Sequence, residues 1–147
     1  MNNEIIEELV RQIAALEKRI EYLETVEETA AWIDYSATST IVGWSSYTTK
    51  EIFYKKIGKT MFVQFNIAGV SDSTATTFTV PYNNNTGVSS AVSLARAQNN
   101  SAAVDTSSWI SMVKNGNIVY CYHDFAAADW AASNNKLVKG SYSYQTA

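Results

Sequence analysis

The residues able to do covalent chemistry are few and scattered. His123 is the only histidine in 147 residues, and it stands beside Asp124 in the run IVYCYHDF. A His–Asp pair serves acyl transfer only when the imidazole also reaches a serine or thiol. On a strand, neighbouring side chains point to opposite faces, so His123 and Asp124 are expected to lie apart. Glycoside hydrolysis needs two carboxyl groups flanking one bond, but the acids past residue 31 (Asp34, Glu51, Asp72, Asp105, Asp124 and Asp129) follow no motif. Cys121 is the single cysteine, which excludes an intrachain disulfide and a cysteine metal cluster. Within a strand-like run it reads as a buried, inert thiol. Neither a glycine-rich phosphate loop nor a zinc spacing is present. The chain is therefore read as non-enzymatic, with no cofactor and no metal.

Binding chemistry has better candidates, and they sit in loops. PYNNNTG (81–87) offers Tyr82 beside Asn83, Asn84 and Asn85, and DFAAADWAASNN (124–135) offers Asp129, Trp130 and Asn134. An aromatic face flanked by amides and a carboxylate suits a sugar, whose ring stacks while its hydroxyls hydrogen-bond. The alternative is that Trp130 packs inside the head or a subunit interface and the asparagines only form turns. Trp44 and Trp109 lie in strand-like runs and are read as core or interface.

Two kinds of element must carry these loops. Residues 4–28 contain no glycine or proline and are rich in helix formers. Ile6, Leu9, Ile13, Leu16, Ile20 and Leu23 follow one another at spacings of three and four, a heptad seam with isoleucine at a and leucine at d. A helix packed on its own domain would show a wider, less regular stripe. Isoleucine at a with leucine at d favours two strands, but Ile5 at g and Val10 at e widen the apolar face. Arg19, Ile20, Leu23 and Glu24 occupy g, a, d and e. That order resembles the trimerisation motif of short parallel three-stranded coiled coils, in which the g guanidinium meets the e carboxylate of the next chain. A planar, bidentate partner explains arginine there in place of lysine. The expectation is a parallel homotrimer.

From residue 32 the period changes. EIFYKKI and TMFVQFNIAG flank a turn at Gly58–Lys59, ATTFTVP ends at Pro81, and VSSAVSLARAQ forms one strand or two short ones. SSWISMVK and IVYCYHDF are joined through NGN, and KLVKGSYSYQ closes the chain with Tyr142 and Tyr144 on one face. Roughly eight strands and no later helix predict a mainly β chain: a coiled-coil stalk over 1–31, then a jelly-roll-like antiparallel β-sandwich head over 32–147. Charge divides the same way. Residues 1–31 carry three basic residues against eight glutamates, while the rest carries eight basic and six acidic residues. No basic cluster interleaved with aromatics marks a nucleic-acid surface, and no apolar run approaches the roughly 20 residues that cross a bilayer. The N-terminus lacks a secretory pattern, so synthesis in a cytoplasm without a cleaved export signal is expected.

YKKIGKTMFVQFNIAGVSDSTATTFTVPYN, with its Tyr-x-Lys-x-Gly-Lys hairpin and Thr-rich strand ending in Val-Pro, resembles a segment of the C-terminal domains of phage tail-fibre and other virion appendage proteins. WAASNNKLVKGSYSYQT is similar to their closing pattern, and the likeness covers about residues 50–147. The resemblance implies a trimeric, receptor-binding module of a phage or prophage virion, held there by other tail or capsid proteins. Its receptor would be a host cell-surface glycan or protein. A long shaft or virion-docking domain is missing from the pattern, which fits either a fragment or a small separate appendage protein. A purely structural appendage or capsid decoration is the alternative.

Overall fold

The computed structural model describes residues 2–28, 31–85, 92–104, 108–112, 115–124, 126 and 129–146. The chain separates into two compact units, Met1–Ala31 and Trp32–Ala147. Among the described residues no helix is long and apolar enough to cross a membrane.

The first unit is one helix, α1 (Asn2–Glu28), with Glu4 in its first turn, where a carboxylate favours the helix dipole. Gln12 Nε2 donates to Glu8 Oε1 at 3.2 Å, and Arg11 lies 3.8 Å from Glu8, exposed pairs worth a few tenths of a kcal/mol each. Ile5, Ile6, Leu9, Val10, Ile13, Leu16, Ile20 and Leu23 are all 52–60% exposed in the single chain. Arg19 is exposed as well, and the side chain of Glu24 lies outside the described ones.

The second unit is built from two antiparallel sheets. The larger has the order β1 (Ile33–Asp34), β3 (Trp44–Ile57), β4 (Thr60–Ser71), β11 (Asn135–Gln145), β7 (Arg96–Asn99) and β8 (Ala102–Val104). The smaller runs β2 (Ile41–Val42), β5 (Thr77–Thr79), β10 (Ile118–Tyr122), β9 (Trp109–Met112) and β6 (Val92–Ser93). The long β3–β4 hairpin turns at Gly58–Lys59, with Ile57 opposite Thr60. Gly58 has φ +58° while Lys59 does not take a positive φ, the requirement of a type II′ turn that keeps the strands' twist. β11 then pairs with β4 without a break from Asn135–Val70 to Gln145–Thr60.

Among the described residues eleven strands stand where about eight are expected from sequence. The additions are pieces of two or three residues, too short to show an alternating pattern. VSSAVSLARAQ resolves into β6 and β7, which belong to different sheets. The chain crosses between them at Leu94, whose N–H donates to the Ser108 carbonyl, and Ala95, whose N–H donates to the Lys139 carbonyl.

Alternation puts the core between the sheets. Ile52, Met61, Val63, Phe65, Ile67, Val138, Tyr142 and Tyr144 come from the larger one, and Phe78, Ile110, Met112, Val119 and Cys121 from the smaller. Phe65 on β4 meets Phe78 on β5 with ring centroids 4.8 Å apart. Burial pushes the Cys121 thiol up, which keeps it protonated and inert. Lys136 is also in the core, 1% exposed. Its ammonium donates to the Ser73 carbonyl and Thr76 Oγ1, each at 2.9 Å, and to the Ala75 carbonyl at 3.4 Å. Three acceptors match the three donors of an ammonium, so Lys136 pins the β4–β5 connection.

Candidate ligand-binding surfaces of the head

The first predicted loop divides. Tyr82 is 40% exposed, and its backbone is held by the Tyr144 hydroxyl, which donates to the Tyr82 carbonyl at 2.7 Å. One side of its ring meets Tyr54 edge-on at 6.2 Å, and Lys56 Nζ stands 4.6 Å from its centroid. Asn83 and Asn85 are exposed. Tyr82 and Asn83 line a cleft of about 290 Å³ with Lys56, Pro81 and Thr146. Asn84 is not part of this surface: it is fully buried. Its N–H donates to the Gly116 carbonyl and its carbonyl accepts from Asn115 N–H, so it ties the loop to the β9–β10 connection.

The second loop divides too, and Trp130 requires a correction. Its ring is 2% exposed and belongs to the core, with Nε1 donating to the Cys121 carbonyl at 2.9 Å. A large aromatic next to alanines gains more by filling the sandwich end than by facing water. Asp129 is exposed and borders a cleft of about 190 Å³ beside Thr77 and Tyr120. Asn134 is exposed at φ +60°, and its amide donates to Asn100 Oδ1, so part of its role is to join two turns. The loops are not brought together. Residues 81–85 bond to Asn115 and Gly116, just before β10, and Trp130 bonds to Cys121 near the end of that strand, five residues further along or roughly 17 Å of extended chain.

His123 and Asp124 also differ from expectation. β10 stops at Tyr122, so the two side chains need not diverge, and His123 Nδ1 lies 3.6 Å from Asp124 Oδ2. The imidazole stands edge-on to Trp130 at 5.6 Å. Among the described residues no hydroxyl or thiol hydrogen-bonds to His123.

A third cleft lies on neither loop. It is a groove of about 430 Å³ on the outer face of the six-stranded sheet, bordered by Glu51 and Phe53 on β3, Gln64 and Asn66 on β4, and Lys139 and Ser141 on β11. Asn66 Nδ2 donates to Glu51 Oε2 at 3.1 Å, while Phe53 is half-buried and leaves part of its ring at the surface. Pairing aligns these residues: Glu51 is opposite Asn66 and Asn66 opposite Lys139, while Phe53 is opposite Gln64 and Gln64 opposite Ser141. The sequence signal was the polar side of three alternating runs, E-I-F, Q-F-N and K-G-S. It stays unreadable until register places the runs side by side.

The chain matches no family model, no curated protein and no solved structure. Function therefore rests on what these surfaces can hold.

Proposed function

We propose that the chain is a homotrimeric phage or prophage appendage protein, of the tail-fibre kind, whose head binds a host cell-surface glycan. The observation that carries the binding reading is the outer-sheet groove. It sets part of an aromatic ring among two amides, a hydroxyl, a carboxylate and an ammonium, the mixture a sugar's apolar ring face and polar rim require. Rigid strands hold every one of these groups, so little ordering is needed on binding. The two facing antiparallel sheets also suit a jelly-roll head.

Threefold assembly is supported by α1. Its heptad seam is left in water in the single chain, and fully burying one Ile or Leu contributes roughly 1.5–3 kcal/mol. Ordering each residue costs about 1–2 kcal/mol of backbone entropy, so a stalk this short needs partners along its whole length. Three linked heads raise apparent avidity by roughly 10²–10⁴ over one shallow site when all can engage. Such a protein is made in the bacterial cytoplasm and carried on the virion by other tail or capsid proteins.

A purely structural appendage or capsid decoration is the second reading. The burial of Asn84 and Trp130 favours it, because it removes two side chains from the loop surfaces best suited to a receptor. The experiment is adhesion of the labelled full chain to host cells and to a glycan array, beside the groove-filling variant Ser141→Trp. Adhesion to glycans that the variant loses supports the receptor-binding reading. A folded trimer that holds neither cells nor glycans replaces it with the structural one.

A further inference from the structure

Charge on the outer sheet face is arranged unevenly. Register places Glu51, Asn66, Lys139 and Arg96 in one row across β3, β4, β11 and β7. Glu51 at one end already accepts a hydrogen bond from Asn66. At the other end Lys139 and Arg96 are direct cross-strand partners, both exposed. Like charges directly opposite in an antiparallel pair are destabilising, and among the described residues no carboxylate forms an ion pair with either. The strands of this sheet carry Lys50, Lys55, Lys56, Arg96, Lys136 and Lys139 against Asp34 and Glu51. Of these cations only Lys136 is fully buried in the core.

We propose that the groove selects an acidic saccharide, with a sugar ring on Phe53, hydroxyls on Gln64, Asn66 and Ser141, and the anionic group on Lys139 with Arg96 beside it. This rests on the glycan reading above and adds the ligand's charge, its place and its direction. The span fits: Glu51 and Lys139 are two strands apart, roughly 10 Å, so one residue of a sugar chain bridges the carboxylate end and the ammonium end. An anion there also relieves the repulsion between Lys139 and Arg96. A planar carboxylate can then engage the guanidinium through two parallel hydrogen bonds.

The test uses the full-length protein and a panel of uronate- and sialate-bearing oligosaccharides, each beside its carboxyl-methylated counterpart. Acidic members should bind at least about tenfold more tightly than their methyl esters, the range a hydrogen bond to a charged group supplies, and the difference should shrink as salt rises. Lys139→Gln should lose most of that preference and leave ester binding unchanged. Phe53→Ala should weaken both forms, Ser141→Trp should abolish both, and Tyr82→Ala should alter neither. Thermal melting of each variant separates a lost site from a lost fold, and the exposed Lys139→Gln change keeps the test open if Phe53→Ala or Ser141→Trp unfolds the head. Equal binding of acids and esters, or acid binding that Lys139→Gln and Ser141→Trp leave intact, overturns the acidic groove while leaving glycan binding in place. Absence of binding to the panel and to any glycan overturns both.

Discussion

Lys136 and Trp44 hold each other from two directions. The Lys136 ammonium stands 4.9 Å from the Trp44 ring centroid, and Trp44 Nε1 donates to the Lys136 carbonyl at 3.2 Å. A cation over a desolvated indole contributes up to about 2 kcal/mol, and the same ammonium fixes the β4–β5 connection through Ser73, Ala75 and Thr76. Gly43, just before Trp44, completes the clamp. It has φ +117°, and a methyl there would come within 2.4 Å of the Ala75 carbonyl oxygen.

Removing the clamp should destabilise the head. Lys136→Ala empties a core position and takes a donor from the buried Thr76 hydroxyl and from two partly buried carbonyls, which should cost about 2–4 kcal/mol. Gly43→Ala should cost about 2 kcal/mol or more, because a strained backbone alone costs about 1–3 kcal/mol and the new methyl collides as well. Urea midpoints, with the denaturant slope unchanged, check both values.

The clamp also gives a pH dependence with a definite sign. Burial lowers the Lys136 pKa from 10.5 to about 8. Between those values the unfolded chain binds more protons than the folded one, so stability from this group rises with pH above about 8 and is flat below it. Cys121, Tyr142 and Tyr144 oppose it. Burial raises all three, and their ordinary values are 9.0 for the thiol and 10.0 for the phenols. The unfolded chain therefore ionises first above about pH 9, and stability falls. The wild type should be most stable near pH 9. Its advantage over Lys136→Met, measured by urea titration at each pH, should grow from pH 8 to pH 10. A constant difference across that window would show that the fold holds Lys136 equally well in both protonation states.

How much of this could be read from sequence depends on element length. β3, β4 and β11 have 11 to 14 residues each, long enough for alternation to fix their faces, and the Gly58–Lys59 turn is written in its residues. β1, β2, β6 and β8 have two or three residues and exist because neighbours supply their pairing. Lys136 shows the limit from another side. Its place in phase with Val138, Tyr142 and Tyr144 points it inward, yet a lone lysine reads as solvated until the carbonyls of 73 and 75 arrive from a distant loop. Trp130, for which the sequence leaves stacking on a ligand and packing inside the head both open, shows the same limit: a loop aromatic is exposed or buried according to what closes over it. Lys139 and Ser141, on the opposite phase of β11, border one groove only because register sets them beside Gln64 and Asn66.

Trp130 and Tyr82 should now behave differently from each other. Trp130→Ala should cost about 3–5 kcal/mol, the range for emptying a large buried aromatic site, and should lower the melting temperature sharply. Tyr82→Ala should cost about 1 kcal/mol, since the ring is partly exposed and loses one edge contact with Tyr54. Paired melting curves check this. A small effect at Trp130 would return its ring to the surface and reopen the second loop as a binding site.

The last prediction concerns the number of chains. Light scattering should give a mass near three times 16.2 kDa. Ile13→Asp places a carboxylate in the middle of the seam, where burying an unpaired charge costs several kcal/mol per chain. It should therefore yield monomers whose heads melt almost as before. Arg19→Lys keeps the charge but loses the planar fork, so it should lower the midpoint of dissociation without unfolding α1. A stable dimer would mean that isoleucine at a and leucine at d outweigh the wide face formed with Ile5 and Val10. A trimer that survives Ile13→Asp would mean that the heads set the stoichiometry and the helix only follows.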